Sequence, residues 1–170
     1  MKRINSFPPI CDPNATVLIL GSMPGVQSLA AGQYYAHARN AFWPIMERVL
    51  GLEAGRDYAD RVEALRAARI AVWDVLHSCH RIGSLDTNIR PDTIKINNFL
   101  DFFRRHPRVE LICFNGSMAE NEFRRHVLPG LSSEAFRFVK LPSTSPANTM
   151  TLDKKAKAWM AELAPVIAKS

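Results

Sequence analysis

The chain has 170 residues, 47% of them hydrophobic and 22% charged, with a net charge of +6 and a pI near 9.5. That length suits a single domain, residues 1–170, with a full hydrophobic core. The composition excludes a disordered or fibrous chain. No apolar run reaches membrane-spanning length and "MKRINSFPPICDP" lacks a signal-peptide core, so a cytoplasmic protein without membrane contact is expected.

The elements can be taken in chain order. "TVLILGS" (16–22) is a short apolar run that predicts a strand buried on both faces. A long crossover follows, "GSMPGVQSLAAGQYYAHARNAFW" (21–43), rich in aromatic and polar residues. Phe42, Met46, Val49 and Leu50 then recur at helical spacing, with Pro44 in a first helical turn that begins between Ala41 and Trp43. A further helix is expected near 57–67, before a second strand in "ARIAVWDVL" (68–76). Residues 77–94, "HSCHRIGSLDTNIRPDTI", form the longest stretch without a pattern, as functional loops often do. Ile96, Phe99, Leu100 and Phe103 predict another helix, and "VELICFNG" (109–116) a third strand. A helix near 118–127 leads to the fourth strand, "FRFVKLPS" (136–143). Ala156, Trp159, Met160, Leu163 and Ile167 form the clearest amphipathic stripe.

The order β-α-α-β-α-β-α-β-α argues for an α/β protein, a three-layer α/β/α sandwich around a mainly parallel four-stranded sheet. Ligands of such sheets bind beyond the carboxyl ends of the strands. Segments 21–40, 74–94, 115–118 and 142–150 should therefore meet at one edge.

Several residues in those segments suit a planar, anionic ligand. Gly21 and Gly25 flank Pro24 and let the backbone approach a ligand closely. This is neither a P-loop nor a dinucleotide fingerprint. Tyr34 and Tyr35, read as strand-like, point to opposite faces, which assigns one to the core and the other to stacking on a base. Asn40 is a preferred helix-capping type, yet Pro44 places it just outside the helix, facing the cleft. In "LPSTSPANTMTLDKK" (141–155), hydroxyls and a helix start suit a phosphate. Lys154, Lys155 and Lys157 oppose the dipole of the helix they open, which favours an external anion as their partner. Arg3, Arg39, Arg81 and Arg90 extend the basic footprint.

His77, Cys79 and His80 have poor zinc spacing, so no metal is expected. Cys11, Cys79 and Cys113 are scattered and odd in number, which fits a reducing compartment and is too few for a four-cysteine cluster.

Taken together, these motifs resemble the uracil-DNA glycosylase superfamily. "GSMPG" (21–25) resembles its first motif, "YAHARNAFW" (35–43) the Asn-Arg-Phe-Trp stretch of the mismatch-specific members, and "PSTSPAN" (142–148) the Ser-Pro loop that presses into the minor groove. The resemblance spans about residues 16–160. Most relatives carry a catalytic Asn or Asp at the third position of the first motif, where this chain has Met23. The hypoxanthine-DNA glycosylase branch lacks it and uses an asparagine downstream, and the match is best with that branch. The resemblance thus implies Asn40 as the catalytic residue. Gly21, Ser22, Met23, Pro24, Gly25, Tyr35 and Asn115 would form the base pocket, and Ser143, Ser145, Pro146, Ala147, Lys154 and Lys155 would grip DNA.

The expected function is a monofunctional, cofactor-free and monomeric glycosylase acting on damaged DNA, with hypoxanthine as the base. A uracil or xanthine glycosylase, and an inactive DNA- or nucleotide-binding module of the same fold, are the alternatives.

Overall fold

A computed structural model describes residues 2–168 of the chain. Its elements are β1 (Arg3–Asn5), β2 (Val17–Gly21), α1 (Val26–Ala31), α2 (Phe42–Leu50), α3 (Tyr58–Ala67), β3 (Ile70–Asp74), β4 (Leu76–His80), β5 (Lys95–Ile96), α4 (Phe99–Arg105), β6 (Leu111–Asn115), α5 (Ser117–His126), β7 (Arg137–Leu141) and α6 (Leu152–Ile167). Short 3-10 turns interrupt the connections.

The four apolar runs form one parallel sheet in the order β3-β2-β6-β7. Strand alternation divides their side chains between two cores. Val17 and Ile19 of β2 pack with Ile70, Val72, Leu111 and Cys113 against Phe42, Met46, Leu65 and Trp159 of α2, α3 and α6. Leu18 and Leu20 face the other way, with Ala71, Trp73, Ile112 and Phe114, against Phe99, Phe102 and Phe123 of α4 and α5. Each central strand is apolar on both faces because helices cover both, and the expected three-layer sandwich follows.

Several details differ from the sequence reading. The crossover after β2 contains the short helix α1. Residues 77–94 are not structureless: β4 pairs with β1 and β5 in a small antiparallel sheet, and two 3-10 turns, Asp86–Asn88 and Pro91–Thr93, shape the remainder. The run 68–76 is two elements. After β3, the Val75 N–H donates to the Gly21 carbonyl and the chain turns directly into β4. Leu100 and Met160, counted in amphipathic stripes, are exposed, while Phe102 takes the core position in α4.

Candidate active site

The carboxyl ends of β2, β3 and β6 open into a cleft of about 830 Å³, to which segments 21–28, 34–40, 84–87 and 143–148 all contribute. A second cavity, about 490 Å³, lies at the opposite end of the sheet beside Thr16 and Glu110, away from these loops.

Strand register builds the floor of the cleft. Gly21 pairs with Asp74 across β2 and β3, and a Cβ on Gly21 would sit 2.5 Å from Asp74 Oδ1 and 2.9 Å from Tyr35 Oη. Only glycine fits there. Asp74 is 3% exposed, and its Oδ2 has no hydrogen-bond partner. Burial, and then the nearby Asp86 carboxylate, push the Asp74 carboxyl up to about 7, against the opposing pull of Arg81.

The two tyrosines point to different places, Tyr34 into the core and Tyr35 into the cleft wall, though not by strand alternation. Tyr34 is core: its hydroxyl donates to the Pro8 carbonyl at 2.9 Å, and its own carbonyl accepts from Trp43 Nε1. Tyr35 adopts a left-handed backbone, φ 55°, so it is this turn and not strand alternation that sends the rings apart. The Tyr35 ring stacks on Phe42 with centroids 4.0 Å apart. Its buried hydroxyl has no partner of hydrogen-bonding geometry, although the Asn115 amide lies near. Burial and then the Asp74 charge raise the phenol far above its ordinary range.

Asn40 lines the cleft just before α2. It also serves the helix: the Phe42 N–H donates to Asn40 Oδ1 at 2.9 Å, which fixes the plane of the amide. Among the described residues its Nδ2 has no partner in the protein. Capping and facing the cleft, alternatives by sequence, coexist in one side chain.

The loop 21–25 is held from beneath. Ser22 Oγ donates to the Asp86 carboxylate at 2.8 Å. Arg81 is buried and donates to the carbonyls of Gly83, Met23 and Pro24. Met23 and Pro24 are buried as well, and the Met23 side chain packs into the core on the α4–α5 face, which makes position 23 a packing residue here. Gly25 approaches Ser84, whose Oγ accepts from the Val26 N–H.

The loop after β7 is equally well tied down. Asn115 Nδ2 donates to Thr144 Oγ1, and the Thr144 N–H donates back to Asn115 Oδ1, both at 2.9 Å. Asn115, assigned to the base by sequence, thus spends one donor and one acceptor on this loop and retains one of each. Gly116, at φ 93°, brings β6 against Ser143. Trp159 Nε1 donates to the Pro142 carbonyl, and the Ala41 N–H to that of Thr144. Pro146 and Ala147 stand exposed at the tip.

Lys155 departs from expectation. It is 3% exposed, and its Nζ donates to the carbonyls of Ser145 at 3.2 Å and Asn148 at 2.9 Å. It braces the Ser-Pro loop from inside and is not presented to a phosphate, because the first turn of α6 packs beneath that loop. Arg81 likewise leaves the basic footprint, Arg3 bonds Ser78 Oγ, and Arg90 pairs with Asp92. Arg39 and Lys154 are exposed, Arg39 beside the cleft. Among the described residues, no group of three His, Cys, Asp or Glu side chains is arranged to hold a metal ion. Among them too, no helix is long and apolar enough to cross a membrane.

Sequence reasoning missed Asp74, Asp86 and the internal role of Arg81. A signal for the first exists: Asp74 is the lone charge inside the apolar run "IAVWDVL", at the carboxyl end of a buried strand. Asp86 and Arg81 gain meaning only once the chain leaving β4 comes back beneath the 21–25 loop.

Known proteins share this architecture. The family model described as "Uracil DNA glycosylase superfamily" matches residues 8–164. A protein of Methanosarcina barkeri (strain Fusaro / DSM 804) named hypoxanthine DNA glycosylase is 34% identical over 160 residues, covering 94% of this chain and 96% of its own. A protein of the same name from Methanosarcina acetivorans is 34% identical over 157 residues, covering 91% and 94%. The solution NMR structure of a candidate uracil DNA glycosylase from Methanosarcina acetivorans superposes with a TM-score of 0.81 at 31% identity, over 97% of this chain and 99% of that one. With three motif loops gathered at one sheet edge and relatives matched over nearly their whole length, the chain belongs to the uracil-DNA glycosylase superfamily and is a DNA glycosylase.

Proposed function

We propose that the protein excises hypoxanthine, the deamination product of adenine, from DNA by hydrolysing the N-glycosidic bond. The observation that carries this reading is the Asn40 amide, anchored through Oδ1 and facing a cleft whose first loop has Met23 where relatives place a catalytic Asn or Asp. Two relatives 34% identical to this chain bear the name hypoxanthine DNA glycosylase, which supports the choice of base.

The base is flipped out of the duplex into the cleft, since its glycosidic bond is inaccessible within the stack. The Tyr35 ring is backed by Phe42 and lines the cleft, where the base would stack on it. Asn40 Oδ1 keeps a second lone pair with which to orient the attacking water. A neutral amide is a weak base, so most of the rate must come from stabilising the departing base. The backbone N–H groups of Ser22 and Met23 serve that purpose, on a loop fixed by Arg81 and Asp86. The motif loops before Lys154 offer no lysine amine for a lyase step, and the chemistry needs no cofactor.

DNA lies across the cleft mouth. Arg39 and Lys154 neutralise phosphates, and the Pro146–Ala147 tip, stiffened by Lys155 and Asn115, presses on the backbone.

The test is a labelled duplex carrying one deoxyinosine, incubated with the protein and then heated in alkali. Strand scission that depends on alkali is the expected result. No scission from deoxyinosine, with scission from a parallel deoxyuridine duplex, would overturn the choice of hypoxanthine.

A further inference from the structure

The turn that carries Asn40 also carries a histidine. His37 is half-buried and lines the same cleft. Its backbone is fixed on both sides. The Ala36 N–H donates to the Oγ of buried Ser28 at 3.1 Å, and the Asn40 N–H donates to the His37 carbonyl at 2.9 Å. The imidazole is oriented as well, because the Arg39 N–H donates to His37 Nδ1 at 3.0 Å.

That one bond assigns the tautomer. A ring nitrogen that accepts from a backbone N–H carries no proton itself, so the hydrogen of the neutral ring sits on Nε2. Among the described residues, no carboxylate, carbonyl or hydroxyl accepts from Nε2. With Nδ1 committed to its own turn, one oriented N–H donor is left for whatever enters the cleft.

Hypoxanthine brings acceptors of the matching kind. As its bond to the sugar breaks, the electron pair leaves with the base and spreads over the fused rings, where N3 and N7 hold bare lone pairs. Uracil has no counterpart, since its other ring nitrogen, N3, carries hydrogen. We propose that His37 donates its Nε2–H to a bare ring nitrogen of the purine, N7 or N3, through a hydrogen bond that strengthens as the base departs. This rests on the glycosylase reading above and deepens it, because it supplies a contact that a purine makes and uracil does not. The histidine keeps its proton throughout. The water oxygen bonds to C1′, the C1′–N9 bond breaks, and the proton lost by the water ends on the released base. A donor already held in place for charge that develops in the transition state costs no reorganisation at that moment. It also acts where the need is greatest, on the leaving group, since the neutral Asn40 amide is a weak base.

The test separates recognition from cleavage. Duplexes with a 2′-fluoroarabino sugar, whose fluorine suppresses hydrolysis, carry hypoxanthine, 7-deazahypoxanthine or 3-deazahypoxanthine, and their affinities for the whole protein are compared. One hydrogen bond predicts that the wild type binds hypoxanthine about fivefold more tightly than one of the two deaza bases, and which one it is distinguishes N7 from N3. His37→Ala should reduce that preference to within about twofold and slow release from a deoxyinosine duplex about 100-fold. His37→Gln, which keeps an N–H near the position of Nε2, should retain most of both. Imidazole 15N shifts of the free wild-type protein in alkaline buffer should show Nδ1 bare and Nε2 protonated, a readout that needs no variant to fold. A wild type that binds all three duplexes alike, a His37→Ala protein that keeps the preference, or a ring protonated on Nδ1 would overturn the assignment. So would an equal loss by His37→Ala on all three duplexes and on a tetrahydrofuran duplex, with a lower salt slope, since His37 would then hold a phosphate. The preference pattern without base release refutes the glycosylase reading alone, and release without the pattern refutes the His37 assignment alone.

Discussion

Replacement of Asn40 separates its two roles. Asn40→Ala removes the acceptor for the Phe42 N–H at the start of α2, a 2.9 Å hydrogen bond. Loss of a side-chain acceptor at a helix start costs about 1 kcal/mol, within a range of roughly 0.5–2. For a chain of this size that lowers the melting temperature by about 2–4 °C. In the proposed reaction the same change removes the amide that orients the attacking water, and loss of one oriented polar group at a reaction centre costs about 100-fold to 1,000-fold in rate. Asn40→Asp keeps the acceptor, so its melting temperature should stay near that of the wild type, while it loses the Nδ2 donor and places a charge in the cleft. Melting curves and single-turnover release from a deoxyinosine duplex, with protein in excess, give both numbers. Affinity for a duplex carrying a tetrahydrofuran abasic analogue should be nearly unchanged in either variant. An Asn40→Ala protein with the expected drop in stability but wild-type single-turnover rate would refute the reasoning, because Asn40 would then be a capping residue and nothing more.

Loss of the Tyr35 stack in Tyr35→Ala should cost about 1–3 kcal/mol of base recognition, read as slower single-turnover release. Lys154 is exposed and Lys155 buried, so their effects should differ in kind. Lys154→Ala should lower the slope of log affinity against log salt by about one, without changing stability. Lys155→Ala should leave that slope nearly intact, lower the melting temperature, and speed amide hydrogen exchange in residues 143–148, since it deletes two charge-assisted hydrogen bonds to that loop. The Asp74 carboxyl titrates higher in the fold than the ordinary 3.8, so the folded state holds its proton where the unfolded state has lost it. Wild-type stability should therefore fall as pH rises from about 4 to about 7 and level off above, relative to Asp74→Asn, measured by melting across that range. Gly21→Ala should fold poorly or bind no base, because its methyl would stand 2.5 Å from Asp74 Oδ1.

The sequence by itself determined the sandwich. β2, β3 and β6 are apolar on both faces, the pattern of parallel strands covered by helices on either side, while β7, with Arg137 and Lys140 exposed, closes the sheet at its edge. Position in the chain then dictated which loops gather at the carboxyl edge, so Tyr35, Asn40 and the Ser-Pro loop were legible as cleft residues. The tertiary structure decided what depends on contacts between distant segments. β1 and β5 are three and two residues long and have no pattern of their own; they are strands because β4 offers them hydrogen bonds. Lys154 and Lys155 are identical in type and adjacent in sequence, yet one meets solvent and the other the underside of a loop, because successive residues of a helix point about 100° apart. Asp74 became a floor residue through its register with Gly21, and an unpartnered one because Arg81, brought back by β4, binds carbonyls in its place. Local pattern reports which face a residue occupies, but the partner of a buried charge is set by what the rest of the chain places beside it.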